Sequence, residues 1–151
     1  MLPIDAPERR RLPVLLRRAW YGLNQAFRRR IVPLGLTPDQ FTVLRTLLEN
    51  PGINQRRLAE LMSSDANTVA ALVERMETMG LVKRQTRERD RRANSLRVKP
   101  LGKRRYEAAR RLAVRLQTEI LSTLPQPARE TFLKELNAVA EACRAAADQS
   151  T

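Results

Sequence analysis

The sequence predicts a mostly α-helical chain with one small β-hairpin. Apolar residues recur at steps of three and four along most of the chain, which is the period of an amphipathic helix. Between residues 81 and 99 the period changes to two, which is typical of strands. Proline and glycine separate these segments. The expected order is four helices, a hairpin and two further helices.

The composition points to a polyanionic partner. There are 29 Lys and Arg against 16 Asp and Glu, so the net charge is +13, which favours nucleic acid first and anionic membrane second. The chain has no histidine, the commonest general base and metal ligand, so we expect neither an enzyme nor a cofactor or metal site. With one cysteine, no signal-peptide pattern and no long apolar run, the expected location is the cytoplasm.

The first helix is expected over residues 11–32, before Pro33 and Gly35. Its opposite face is basic and carries Arg17, Arg18 and residues 28–30. The apolar positions of this helix are Leu12, Leu15, Leu16, Ala19, Leu23, Phe27 and Ile31.

Two short helices follow. Residues 37–40 (Thr-Pro-Asp-Gln) form a capping box with proline at the first helical position, which predicts a helix over 38–49. Residues 50–52 (Asn-Pro-Gly) end it. Asn54 then suits the N-cap of a helix over 55–62.

A fourth helix is predicted to open at residues 63–65 and to run to Met79, before Gly80. Small hydrogen-bonding side chains gather near its N-terminus, on the face opposite the apolar stripe. The stripe comprises Val69, Leu72, Val73 and Met76. The outer face carries Ser64, Asn67, Ala71, Arg75 and Thr78, with Thr68 on its flank.

Two antiparallel strands are predicted around a charged tip over residues 87–94. Thirteen Lys and Arg lie between Lys83 and Arg111, against three acidic residues, a concentration expected for a DNA-facing hairpin. A short helix, a turn, a second helix and a basic hairpin, in this order, indicate a winged helix-turn-helix. Such a unit places one helix in the major groove and an arginine of the wing near the minor groove.

Two long helices are predicted over 101–122 and 127–148. Their apolar stripes and that of the first helix need a partner, and a second copy of the chain would supply one, although packing within the monomer is the alternative. Cys143 lies on the last stripe and is expected to be a small buried hydrophobe. The expected organisation is one domain, 1–151, with the winged unit at 37–99 and dimerisation helices at 9–33 and 101–148.

The stretch from Leu36 to Gly102 resembles the MarR family of bacterial regulators. The most specific similarities are the exit from the fourth helix (residues 80–82, Gly-Leu-Val) and the wing (residues 90–93, Asp-Arg-Arg-Ala). Further matches lie at 36–41, 58–61, 67–69 and 72–76.

The resemblance implies a homodimer that binds a pseudo-palindromic operator in double-stranded DNA, most simply as a repressor. It implies that Asn67, Thr68 and Ala71 contact bases and that Arg91 and Arg92 reach the minor groove. It also implies that Asp90 pairs with a nearby arginine and so holds the wing in shape. The complete predicted DNA-contact set is Asn54, Gln55, Arg56, Ser64, Asn67, Thr68, Ala71, Arg75, Arg89, Asp90, Arg91 and Arg92.

Many relatives are released from DNA by small aromatic or phenolic anions, so such an effector is a further expectation. Plain core or dimer contacts are the simpler explanation for the aromatic side chains concerned. The candidate ligand residues are Arg17, Trp20, Tyr21, Phe27, Phe41 and Arg45.

Two departures from the family pattern stand out. The segment that enters the fifth helix, residues 98–102, has Lys99 where a capping threonine is usual. Ala71 offers only a methyl group where some relatives place arginine.

Other functions stay open. They are a ligand-independent basic DNA-binding or architectural protein, an RNA-binding protein, for which the 4% aromatic content offers few stacking platforms, and a membrane-surface role for the first helix.

Overall fold

A computed structural model describes the backbone of residues 1–3, 5–8, 11–87 and 90–149, together with the side chains of those residues except 86–94. The elements are α1 (Arg11–Ile31), a 3-10 turn (Val32–Leu34), α2 (Pro38–Glu49), α3 (Gln55–Leu61), α4 (Ala66–Thr78), β1 (Val82–Arg87), β2 (Asp90–Val98), α5 (Pro100–Leu121) and α6 (Gln126–Asp148). The strands form a two-stranded antiparallel sheet. The predicted fold class, a mostly helical chain with a small β-wing, is confirmed.

Local hydrogen bonds begin the central helices where the sequence predicted. At the start of α2, the Gln40 amide donates to the Thr37 hydroxyl at 3.2 Å, and the Gln40 side chain accepts from the Thr37 amide at 3.0 Å. At the start of α3, Asn54 Oδ1 accepts from the Arg57 amide at 2.8 Å. Each cap satisfies backbone donors that the first helical turn leaves without a partner. Gly80 follows α4 with a φ of +78°, a conformation that glycine adopts freely.

The wing differs from the prediction in one respect. A tip over residues 87–94 was expected, but β1 extends to Arg87 and β2 begins at Asp90, with a register shift between Thr86 and Arg87. Backbone ladder bonds do not need apolar side chains, so the strands continue where the apolar alternation has ended. An isolated bridge, Asn54 to Ser95, also joins the start of α3 to the wing.

The core of the first unit lies among α2, α3, α4 and the base of the wing. The chain divides into two compact units, Met1–Ala113 and Val114–Thr151, and α5 belongs to both. The side chains completely shielded from solvent in the first unit are Ile31, Val43, Leu44, Leu58, Val69, Val73, Met76, Leu81 and Ala109. The predicted apolar stripe of α4 therefore faces this core.

In the second unit, α6 has no buried side chain. Cys143, which was expected to be buried, is exposed, because the stripe on which it lies is uncovered in the single chain. The Arg129 guanidinium donates to the Leu124 carbonyl oxygen at 3.0 Å and so ties the first turn of α6 to the preceding turn.

Among the described residues, none of the helices combines the length and apolar character of a membrane span.

Of the glycines, Gly102 lies closest to the backbone of a neighbouring segment. A Cβ atom there would collide with the Leu81 carbonyl oxygen and lie 3.1 Å from Val98 Cγ1. We expect Gly102→Ala to lower the free energy of unfolding by about 1–3 kcal/mol, because backbone on both sides must move.

Gly22→Ala on α1 is the matched control, since an added Cβ there meets nothing within 4 Å. It should raise the free energy of unfolding by up to about 1 kcal/mol through helix propensity alone. Urea unfolding monitored by circular dichroism measures both variants. Equal stability of the wild type and Gly102→Ala would contradict the close approach.

Candidate DNA-binding surface

The exposed side of α4 carries the side chains predicted to contact bases. Asn67, Ala71 and Arg75 are exposed along one side of the helix, with Thr68 on its flank. Val69, Val73 and Met76 on the other side are fully buried and anchor the helix to the core. The structure thus leaves a row of small side chains and one arginine exposed for contact with another molecule.

Asp65 caps the first turn of α4, which narrows the predicted opening at residues 63–65 to one residue. Its carboxylate accepts from the Thr68 amide at 2.8 Å and from the Thr68 hydroxyl at 2.7 Å. The hydroxyl proton of Thr68 is therefore engaged in the cap, and the methyl group and an oxygen lone pair remain for a ligand. An Asp three residues before a Thr at a helix start was the available signal.

The hydrogen bonds from Thr68 lower the pKa of Asp65 below its ordinary value of 3.8, the side-chain bond contributing most. Because the folded-state pKa is depressed, the stabilisation from this cap is fully present above pH 3.8 and is lost as the pH falls through the folded-state pKa. We expect Thr68→Val to raise the pKa of Asp65 toward its ordinary value, because it removes the largest cause of the shift.

Thr68→Ser, which keeps the hydroxyl, is the control and should leave the pKa low. NMR titration of the Asp65 carboxyl carbon measures all three proteins. A wild-type midpoint at or above 3.8 would contradict the hydrogen-bonded cap.

The start of α3 adjoins the start of α4. Gln55, Arg56 and Ser64 line one open notch of about 400 Å³, together with Ala59, Glu60 and Ala66. Three predicted DNA contacts are therefore brought onto one surface. Glu60, not predicted, lies 2.9 Å from the Arg57 guanidinium and 3.8 Å from that of Arg56. Asn54 lies at the same helix start, with its side-chain oxygen engaged in the cap.

An ion pair joins α4 to the wing. Arg84 Nε of β1 donates to Glu77 Oε1 near the end of α4 at 2.8 Å, with about a third of each side chain exposed. This pair was missed because the sequence pattern does not indicate which residues of a helix and a strand meet. It limits rotation of the hairpin relative to α4.

The predicted wing contacts fall at the margin of the described residues. Arg89 lies outside them. The side chains of Asp90, Arg91 and Arg92 also lie outside them, and with them the predicted Asp90–arginine pair. The backbone of these three residues begins β2.

The interpretation of the positive charge near the hairpin needs correction. Five of the thirteen cations assigned to the hairpin region, Lys103, Arg104, Arg105, Arg110 and Arg111, lie on α5.

The candidate ligand residues divide into two groups. Phe27, Phe41 and Arg45 come together with Tyr106, which was not predicted. The Phe41 ring centroid lies 4.9 Å from that of Phe27 and 5.2 Å from that of Tyr106. The Arg45 guanidinium sits 4.6 Å above the Phe41 ring and donates to the Tyr106 hydroxyl at 3.5 Å.

Arg17, Trp20 and Tyr21 form the other group, on the surface of α1. With Asn24 they line a shallow hollow of about 190 Å³, and the two aromatic side chains are 61% and 67% exposed. No cluster of Cys, Asp and Glu within the described ranges is arranged to hold a metal ion.

The fold has counterparts among known proteins. A model of the MarR family matches residues 36–93. The transcriptional regulator HosA of Escherichia coli is 31% identical over 99 residues, which cover 66% of this chain and 73% of HosA.

Two solved structures of regulators named CouR are also similar. The repressor CouR bound to a 23-mer DNA duplex is 28% identical, with a TM-score of 0.81 over 93% of this chain and 99% of CouR. CouR from Rhodococcus jostii RHA1 bound to p-coumaroyl-CoA is 27% identical, with a TM-score of 0.74 over 83% of this chain and 89% of that chain. From the shared winged fold and these matches, the chain belongs to the MarR family of DNA-binding transcriptional regulators.

Proposed function

We propose that the chain is a homodimeric repressor that recognises a pseudo-palindromic operator and leaves it on binding a small aromatic or phenolic ligand. The exposed row on α4 carries the proposal. Asn67 suits bidentate hydrogen bonding to adenine, Ala71 suits contact with a thymine methyl group, and Arg75 suits a guanine or a phosphate. Gln55, Arg56 and Ser64 would hold the adjoining phosphates from the notch beside α4.

The remaining members of the predicted set complete this interface. Asn54 and Thr68 would fix the helix starts from which the neighbouring side chains contact DNA, since each takes part in a cap. Arg89, Arg91 and Arg92 would enter the minor groove from the wing, with Asp90 holding its shape. The structure of CouR bound to a 23-mer DNA duplex supports double-stranded DNA as the partner.

The dimer is proposed from apolar side chains that the single chain leaves uncovered. On α1, Leu12, Leu15 and Leu23 are 54%, 52% and 46% exposed, and on α6, Phe132 and Leu136 are 40% and 38% exposed. At about 25 cal/mol per Å², covering these side chains with a second copy contributes a favourable association term. The dimerisation helices would be those expected from the sequence, within 9–33 and 101–148.

An aromatic effector is proposed from the cluster of Phe27, Phe41, Arg45 and Tyr106. An anionic ring entering it would replace the Phe41 ring as the partner of the Arg45 guanidinium. Arg17, Trp20 and Tyr21 on the surface of α1 are a second place for such a ligand. The complex of CouR with p-coumaroyl-CoA supports an aromatic effector.

Selection of bound DNA from a random duplex pool tests the proposal. We expect a two-fold symmetric consensus with half-sites about 10 base pairs apart, because two α4 helices would enter successive major grooves on one side of the duplex. Enrichment of no sequence would favour the alternative of an architectural protein. Retention of the selected duplex in the presence of a panel of phenolic acids would argue against release by this class of ligand.

A further inference from the structure

Most of the excess positive charge lies outside the winged unit. Residues 37–99 hold twelve Lys and Arg against eight Asp and Glu, a net charge of +4. α1 holds six arginines and no carboxylate, a net charge of +6, and α5 holds six cations and two carboxylates, a net charge of +4. Binding of one operator by the winged unit therefore leaves the charge of α1 unexplained.

Five of the six arginines of α1 share one face. At 100° per residue they fall within about one third of the helix circumference. Leu12 and Leu23 lie on the other side and Leu15 lies beside the edge of the arc, so a contact of these leucines with a second copy leaves most of the basic face open. The five arginines, all exposed, are Arg11, Arg17, Arg18, Arg28 and Arg29, and we call them the arginine face.

The helix itself does not explain these arginines. Cations are stabilised near the C-terminus of a helix, which accounts for Arg28 and Arg29 in the last turn. Arg11, Arg17 and Arg18 lie in the N-terminal half, where the helix dipole opposes a cation or contributes little. α1 carries no carboxylate to offset the repulsion among these arginines. The repulsion therefore lowers the stability of the helix, and an anionic partner would offset it.

We infer that the arginine face of α1 binds the phosphate backbone of a second DNA duplex while the winged unit holds the operator. The span from Arg11 to Arg29 is about 27 Å at 1.5 Å per residue, comparable to about eight base pairs of duplex. Arginine is suited to phosphate by its bidentate geometry. The choice of DNA among polyanions rests on the proposed function, because DNA is the polyanion that such a regulator always meets.

A bridging assay tests the inference on the full chain. An operator duplex found by selection is fixed to beads, the protein is bound, and a labelled duplex of unrelated sequence is added at about 0.05 M salt, where phosphate binding is strong. The test variant is R11Q/R18Q/R29Q. The control is K134E/R144Q, which lowers the net charge by the same three units on α6, a helix that carries more carboxylates than cations, and keeps the structural hydrogen bond of Arg129.

We expect the wild type and the α6 control to retain the labelled duplex, and the α1 variant to retain at least about tenfold less. All three should bind the operator equally well and have equal mass by light scattering. Anisotropy titration with the unrelated duplex alone makes the test independent of operator binding. In this titration, N67A/R75A should keep the contribution of α1 to binding of the unrelated duplex. R11Q/R18Q/R29Q should make the slope of log K against log salt shallower by about 0.9 for each phosphate that the variant no longer binds.

Several outcomes would overturn the inference. They are no capture of the labelled duplex by the wild type, equal capture by the α1 variant, and loss of operator affinity in that variant, which would assign the arginines to the operator. A monomeric mass for the α1 variant would assign them to the interface between copies. Binding of the wild type to vesicles of anionic lipid without capture of the second duplex would assign them to a membrane surface. Failure of the proposed function appears separately, as a lack of sequence preference in the selection.

Discussion

Replacing Arg91 and Arg92 together with alanine is expected to weaken operator binding by about 10² to 10³-fold at about 0.15 M salt. A dimer loses four arginines by this change, two from each wing. If each contacts one phosphate or lies along the minor groove, the slope of log K against log salt becomes shallower by about three to four. The loss should be similar on all sequences, because contacts with the backbone do not distinguish bases.

Lys134→Ala/Arg144→Ala on α6 is the matched control, since it removes the same number of charges far from the wing in sequence. It separates the local contact from the general effect of net charge on association. Anisotropy titrations of the selected operator at several salt concentrations measure both variants. A slope unchanged in the wing variant would remove the wing from the DNA interface.

The helices could be predicted because their signals are local. Thr37 and Asn54 lie within three residues of the amides that they cap, and the alternation of buried and exposed positions on α4 follows from helical geometry alone. Pro100 begins α5 even though Lys99 stands where relatives place a capping threonine. The fixed φ of proline suits the first helical turn without that cap.

The contacts that join these elements could not be predicted from the same signals. Tyr106 meets Phe41 from a distant part of the sequence, and the Arg84–Glu77 pair depends on the angle between β1 and α4. The charge was also misassigned in part, because a count along the sequence does not separate a hairpin from the helix after it. The base-contacting positions were predicted from resemblance to a family, and their roles stay predictions.

Leu136→Glu is expected to convert the proposed dimer into a monomer and to weaken operator binding by at least about 100-fold, because a monomer would bind one half-site only and lose the advantage of binding both halves together. Leu136 is 38% exposed in the single chain, so a carboxylate at this position stays solvated and costs the monomer little. In a dimer that covers the stripe of Phe132, Leu136 and Val139, the same carboxylate would be buried without a partner.

Asn137→Glu is the matched control for this prediction. It adds the same charge at the next position, which is also exposed but faces away from the stripe. Light scattering at micromolar concentration should give half the wild-type mass for Leu136→Glu and the full mass for Asn137→Glu, with helix content unchanged in both. If both variants stay dimeric, the stripe of α6 does not form the interface. If both dissociate, charge alone controls association and the apolar contact does not decide it.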